Sequence, residues 1–402
     1  GQFNTKDDGL DSKTIEESSG TSGGDSGTDN SSGGTTITSA GFVISAITGS
    51  TTEAGGTATF TVNLKSQPTA NVSIALSSSD STEGSVSPAS LLFTSSNWNT
   101  AQTVTVTGID DSTIDGNKSY LILLGIASSS DSNYSGLDPS DVSVTNTDDE
   151  TAGFTISSIT DNTTESGGST FFSFKLNSQP NANVTIAVSS SDTTEGTVSP
   201  SSLVFTSSNW STTQSVIITG VDDSLDDGNQ SYTVLLGAAS SSDSNYNSLN
   251  PTDISLTNVD DETAGFTISS ISGVTTEYGG TSTFTIKLNS QPTADVSIAV
   301  SSSDTTEGTV STASLTFTTT NWSTTQTVTV TGVNDSAVDG DQSYTILLGA
   351  ASSSDRNYNA LDPADVSVTN TDDETGGITV SSISGNTTES GGTATFTVKL
   401  TS

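Results

Sequence analysis

Thr107-Gly108-Ile109-Asp110-Asp111-Ser112-Thr113-Ile114-Asp115-Gly116 returns as Thr219 to Gly228 and again as Thr331 to Gly340, each time 112 residues further on. Each copy is strand-like sequence that breaks into a Gly-bounded loop carrying three carboxylates or near-equivalents. Self-similarity at a fixed period marks an array of repeated units. Other landmarks keep the same step: Phe42, Phe154, Phe266 and Ile378; Trp98, Trp210 and Trp322; Glu53, Glu165, Glu277 and Glu389. The expected domains are 40–151, 152–263 and 264–375.

Outside that frame stand two further segments. Residues 1–39 are Gly, Ser, Thr and acid with scattered apolar residues, too few to offset backbone entropy, and read as a flexible leader. Residues 376–402 supply only the first two strands of a fourth unit. Two strands cannot cover their own apolar face. Either the array continues, or the hairpin docks on another copy as donated strands and builds a filament.

Inside the first unit the apolar period is two. Strand A is Phe42 to Ile47, B is Thr57 to Leu64, C is Val72 to Leu76, and D lies near Leu91 to Phe93. Strand E holds Val104 and Val106, F is Tyr120 to Leu124, and G holds Val142 and Val144. Gly, Pro, Asn, Asp and Ser turns separate them. The fold class expected is all-β: tandem seven-stranded immunoglobulin-like sandwiches in an elongated array.

Composition narrows the chemistry. Forty-six Asp and Glu stand against 8 Lys and Arg, a formal charge of −38. Such a field excludes nucleic acid as a natural partner, disfavours an anionic membrane surface and attracts cations. The absence of Cys, His and Met removes disulfides, thiolate metal sites, the usual general base and most Zn, Cu or Fe ligand sets, leaving oxygen donors and hard ions. No apolar run is long enough to span a bilayer as a helix.

Topology sorts the acids. In a Greek-key sandwich the loops after strands A, C, E and G lie at one pole, the one where the chain leaves the domain. Nine of the twelve acids of the first repeat fall there: Glu53 after A; Asp80 and Glu83 after C; Asp110, Asp111 and Asp115 after E; Asp148, Asp149 and Glu150 after G. Two carboxylates 4 Å apart repel by about 4 kcal/mol at an effective dielectric near 20. Crowding of this kind calls for protonation or a counter-charge. Ca²⁺, with six to eight oxygen ligands in flexible geometry, suits it better than Mg²⁺. Trp98 and its siblings lie at the opposite pole, where a Trp plugs the end of a sandwich.

Glu53-x-Gly55-Gly56 before strand B, Gly108-Ile109-Asp110-Asp111 with Asp115-Gly116 after strand E, and Asp148-Asp149-Glu150 closing strand G together resemble the Calx-β domain, repeated over 40–375. The resemblance implies a seven-strand sandwich and, as in the sodium–calcium exchanger members, Ca²⁺ held at the distal loops. The ligands it implies in the first repeat are Glu53, Asp80, Asp110, Asp111, Asp115, Asp148, Asp149 and Glu150. In the second they are Glu165, Asp192, Asp222, Asp223, Asp227, Asp260, Asp261 and Glu262, and in the third Glu277, Asp304, Asp335, Asp339, Asp372, Asp373 and Glu374. Lys118, Gln230 and Gln342 stand where exchanger-type loops have a further acid, and Asn334 replaces Asp110 and Asp222, so fewer or weaker ions are expected.

The function expected is therefore a non-enzymatic, extracellular and bacterial structural or adhesive rod, secreted or at the cell surface, whose domain ends bind Ca²⁺ and stiffen the joints. Neighbouring repeats, copies of itself or a cell-surface ligand are the expected partners. The competing readings are a strand-donating filament subunit, a carbohydrate-binding adhesin with exposed Trp, a glycosidase with paired carboxylates, and a metal-free spacer. An active site normally occurs once, whereas every acidic cluster here occurs three times.

Overall fold

A computed structural model describes residues 39–402. The leader expected over 1–39 lies outside the described residues except for Ser39. The first repeat has ten strands: β1 (Phe42–Ile44), β2 (Thr51–Thr52), β3 (Thr57–Leu64), β4 (Val72–Ser78), β5 (Gly84–Ser87), β6 (Ser90–Phe93), β7 (Gln102–Gly108), β8 (Lys118–Leu124), β9 (Ser128–Ser129) and β10 (Val142–Thr147). One sheet runs β1-β3-β7-β5 and the other β2-β10-β8-β4-β6, with β9 beside β4. The second and third repeats reproduce both sheets.

Sequence alternation fixes which face is inside. In β3 Ala58, Phe60, Val62 and Leu64 are at most 1% exposed, while the intervening Thr side chains face out. β-branched Thr suits a half-solvated pleat. β7 answers across the ladder with Thr57 opposite Thr107 and Phe60 opposite Val104. The inner faces of the two sheets meet in one core per repeat, around Phe60, Phe93, Ile122 and Tyr134 in the first. Each such side chain contributes roughly 1.5–3 kcal/mol by leaving water. Trp98 lies half-buried against this core, its carbonyl accepting the Leu64 N–H at 2.8 Å, as the end-plug reading expects.

Seven strands become ten because A and D each change sheets and a short β9 forms between F and G. The first half of A pairs with β3, and after Gly49 the chain crosses so that β2 runs parallel to β10. Likewise D divides at Pro88, which has no N–H for a ladder: β5 pairs with β7, and β6 with β4. This crossing of A matters for the site, because it delivers Glu53 to the end of strand G.

Opposite the acid pole, the Tyr134 hydroxyl donates to the Ser66 carbonyl at 2.6 Å and accepts the Ser66 N–H at 3.1 Å. Buried Asp131 accepts the Thr69 N–H at 2.8 Å. These bonds tie the B–C and F–G loops together. Beyond the third repeat, Ile378–Val380 pairs with Val398–Leu400 in the register of β1 with β3. Phe396, Val398 and Leu400 are exposed, where their counterparts Phe60, Val62 and Leu64 are buried, and Ile378 and Val380 are exposed where Phe42 and Ile44 are half-buried.

Candidate metal centre

Three chain exits converge at the acid pole. Glu53 leaves β2 with its N–H donated to the Thr147 carbonyl at 3.0 Å, which sets it beside Asp148, Asp149 and Glu150. β7 ends at Gly108, whose N–H reaches the Gly56 carbonyl at 3.0 Å. The next residue, Ile109, donates to the Glu83 carbonyl at 3.1 Å. Only glycine fits at 108: a Cβ there would run into the Thr52 carbonyl and the Asn146 side chain. The same glycine recurs at 220 and 332 against the same partners.

Carboxylate oxygens of Glu53, Asp149 and Glu150 come within 4.8 Å of one another, as do those of Glu165, Asp260 and Glu262 and those of Glu277, Asp372 and Glu374. In the second repeat Asp222, Asp261 and Glu262 form a further group, and so do Glu195, Asp223 and Asp227. Asp148 is the hub of its loop. One of its oxygens accepts the N–H groups of Asp115 and Gly116, at 3.1 and 2.5 Å, and the other accepts the Glu150 N–H at 3.0 Å. Asp260 and Asp372 make the corresponding bonds to Gly228 and Glu262, and to Gly340 and Glu374. These clamps hold the loop after β7 against the end of β10.

The remaining expected ligands divide by what they touch. Asp111, Asp223 and Asp335 each accept the N–H two residues on, at 2.6 Å, which folds the loop into a turn. Asp110 is exposed, and its charge acts on Glu150. Asp115 pairs with Lys118 at 3.2 Å, the one ion pair among the described residues. Asp339 lends its carbonyl to Gln342, as Asp227 does to Gln230. Asp373 lies beside the exposed Tyr278. Asp80, Asp192 and Asp304 each accept the hydroxyl and N–H of the Thr two residues on, which holds their pKa low and gives them a turn to cap.

The carboxylate of that loop that turns inward is instead Glu83, with Glu195 and Glu307 in the siblings, all at most 8% exposed. Each lies near the Nδ2 of Asn146, Asn258 or Asn370, at 3.3 to 3.5 Å. The sequence places Glu83 among the pole acids, while the resemblance implies Asp80 as the ligand of this loop. The available signal was Glu-Gly at 83, 195 and 307: Gly84 must lack a side chain because the Tyr120 ring lies where a Cβ would be.

Electrostatics mark the Glu53 group as the centre. Burial pushes Glu53 up to about 8 from its ordinary 4.5, and the hydrogen bond and charge of Glu150 push the same way. Burial raises Glu150 as well. Glu165 is pushed up to about 8 by burial and then by Glu262. Glu277 reaches about 8 chiefly through its hydrogen bond with Glu374, burial coming second. Without a counter-ion Glu53, Glu165 and Glu277 hold their protons more tightly than a free carboxyl, since two ionised carboxylates in contact are too costly.

The donor set fits a hard divalent cation. Glu53 Oε2, Glu150 Oε2 and their counterparts in Glu165, Glu262, Glu277 and Glu374 are buried and accept no hydrogen bond from any N–H or hydroxyl group. Leaving such an atom unpaired costs about 1–3 kcal/mol. Its recurrence at the same two positions in three repeats calls for a ligand that binds oxygen.

The clamped loop also meets the next repeat. Gln179 N–H donates to the Ser112 carbonyl at 2.7 Å, Thr113 and Gln179 form a parallel bridge, and Asn245 Nδ2 lies 3.5 Å from the Ile114 carbonyl. Between the second and third repeats Gln291 donates to Ser224 at 2.6 Å, Leu225 bridges Gln291, and Asn357 donates to the Asp226 carbonyl. Gln and Asn make these contacts, while Trp210 and Trp322 lie half-buried against the cores of their own repeats.

The Calx-beta domain family matches the sequence three times, over residues 39–151, 154–263 and 260–375. No curated protein sequence matches the chain. Solved structures similar to it include CBD12 from CALX1.2, at 14% identity over 50% of this chain and 92% of that one, with a TM-score of 0.26. The calcium binding domain CBD12 of CALX1.1 follows at 18% identity, 47% and 77% coverage and a TM-score of 0.26. Domains 4 and 5 of the S-layer protein SbsC share 16% identity over 46% and 75%, with a TM-score of 0.22. No helix among the described residues is long and apolar enough to cross a membrane.

Proposed function

We propose that this chain, which belongs to the Calx-beta domain family, is a non-enzymatic extracellular rod whose acid poles bind Ca²⁺ and thereby stiffen the joints between repeats. The observation that carries this reading is the buried carboxylate pair at the pole of every repeat, Glu53 with Glu150 and its two copies, whose Oε2 atoms accept from no N–H or hydroxyl group. In the first repeat Glu53, Asp149 and Glu150 would hold an ion, with Asp110 adding charge beside them. A second group, Glu83 with Asp111 and Asp115, matches Glu195, Asp223 and Asp227 by position. Bound Ca²⁺ would supply the charge that the proton supplies in its absence.

Stiffening follows from chain connectivity. Asp148 clamps the loop whose Ser112 to Ile114 segment touches the next repeat, and Glu150 leads directly into the linker. An ion bridging Glu53 to Asp149 and Glu150 fixes both ends of that linkage. Repeat arrays are stabilised by such nearest-neighbour terms. Recurrence of the cluster in all three repeats supports a structural role over catalysis, and the half-buried Trp98 favours a core plug over a sugar platform. Millimolar Ca²⁺ and a strongly acidic surface suit an extracellular setting.

Thermal unfolding with Ca²⁺, with Mg²⁺ and with chelator tests the reading. A ligand of the native state at a hundred times its dissociation constant adds about 2.7 kcal/mol. A Ca²⁺-selective rise in the midpoint is expected, reduced by one repeat's share when Asp110→Asn and Asp111→Asn are combined. Coincident curves in all three conditions would leave a metal-free spacer.

A further inference from the structure

We infer that the joint between the second and third repeats is locked by charge, Arg356 of the third repeat engaging Asp226 and Asp227 of the second, while the joint before it has no such lock. Arg356 is the chain's single arginine. Its counterparts one period back are Ser244 and Ser132. Asp226 is equally alone: Ile114 and Val338 stand at its place in the other repeats. The unmatched acid and the unmatched base thus fall on the two faces of one joint, and the corresponding faces of the preceding joint carry Ile114 and Ser244. Acids kept for solubility alone would not be placed opposite the one guanidinium.

The geometry supports the pairing. Asp226, Asp227 and Arg356 line one cleft of about 530 Å³ between the repeats, with Thr293, Asp355 and Asn357 completing its wall. Asp355, the carboxylate next to Arg356 in sequence, is already committed: its two oxygens accept the N–H groups of Thr293 at 2.7 Å and of Asn357 at 2.9 Å. The carboxylates that line the cleft from the second repeat are Asp226 and Asp227. Asp226 in turn accepts the Ala264 N–H at 2.7 Å, so it grips the linker as well. The Ile114 side chain has no oxygen with which to do the same for Ala152.

In the structure Arg356 remains exposed on the cleft wall, so the contact inferred is a closure of its flexible side chain. A planar guanidinium can donate two parallel hydrogen bonds to one carboxylate, or span two carboxylates. Domains joined by a small polar interface move relative to one another by default. A pair that crosses the joint restrains that motion without any ion, so the inference does not rest on Ca²⁺ binding.

The chain has no cysteine, so introduced cysteines can be spin-labelled without background. Ser143, Ser255 and Ser367 are exposed at equivalent strand positions. Ser143→Cys with Ser255→Cys reads the first joint, and Ser255→Cys with Ser367→Cys reads the second. In chelator at low salt, the second joint is expected to give the narrower distance distribution. Arg356→Ser, the sibling residue, is expected to broaden it about twofold, to the width of the first joint. Molar salt should do the same by screening. Transplanting the pair, Ile114→Asp with Ser244→Arg, is expected to narrow the first joint. An unchanged second joint in Arg356→Ser would overturn the inference. So would a transplant without effect, since charge would then not be what sets the joint. Loss of Ca²⁺-dependent stability in the separate thermal experiment would leave this result untouched.

Discussion

In chelator, the chain is expected to melt several degrees higher near pH 5 than above pH 8, and saturating Ca²⁺ is expected to reverse that order. Glu53, Glu165 and Glu277 carry folded-state values of about 8 against an ordinary 4.5. A carboxyl whose folded value is raised binds its proton more tightly when native. Its contribution to stability is therefore complete below 4.5 and is lost as pH climbs through about 8. Burial raises Glu83, Glu150, Glu195 and Glu262 too, so they add to the slope with the same sign. Asp80, Asp192, Asp304 and Asp372 are lowered from 3.8 and act with the opposite sign, but only in more acid solution.

Ca²⁺ competes with those protons, so its affinity rises over the same range and the stability of the loaded chain rises with it. General repulsion within a chain of charge −38 also weakens the fold as pH rises. Glu53→Gln, Glu165→Gln and Glu277→Gln together separate the two causes. If the carboxyl pairs are responsible, the triple variant loses most of the slope between pH 5 and 8 while keeping its fold. A slope that survives intact would assign the effect to net charge.

Gly108→Ala is expected to destabilise the first repeat by about 3 kcal/mol, at the upper end for forcing an atom into a packed site. The added methyl would meet the backbone carbonyl of Thr52 and the buried Asn146 side chain. Thr52 belongs to β2, whose parallel pairing with β10 places Glu53, so neither neighbour can retreat without opening the pole. Gly116→Ala provides the contrast eight residues on. Gly116 has φ of 75° with open space where a side chain would go. Alanine there incurs only left-handed backbone strain, about 1 kcal/mol. Denaturant unfolding of the full chain should show the first repeat unfolding well ahead of the others in Gly108→Ala and only slightly ahead in Gly116→Ala. Equal small shifts would mean that the pole is looser than the packing around Gly108 implies.

Much of this architecture was legible in the residues. Strict alternation in Thr57–Leu64 left one face to bury, and the 112-residue period repeated the unit. The sorting of acids to one pole followed from strand parity, and Glu53 with Glu150 could be placed there before any coordinates. Choosing between Asp80 and Glu83 was beyond the sequence. Both lie in one loop, and only the packing of Gly84 on Tyr120 turns Glu83 inward while Asp80 caps Thr82. Strand counting failed at A and D for a related reason: a chain that crosses between sheets keeps its alternation but changes its partners. The joints were hidden altogether, because Gln179 and Asn245 read as ordinary loop residues until the preceding repeat is set against them.

Calorimetric titration of the full chain with Ca²⁺, in two buffers of different ionisation enthalpy near pH 7, addresses the central claim most directly. Saturable, Ca²⁺-over-Mg²⁺ selective binding of at least one ion per repeat is expected, with protons released from the Glu pairs and the release abolished in the triple Gln variant. No saturable heat in either buffer, or binding that Mg²⁺ matches and that releases no proton, would contradict a Ca²⁺-stiffened rod.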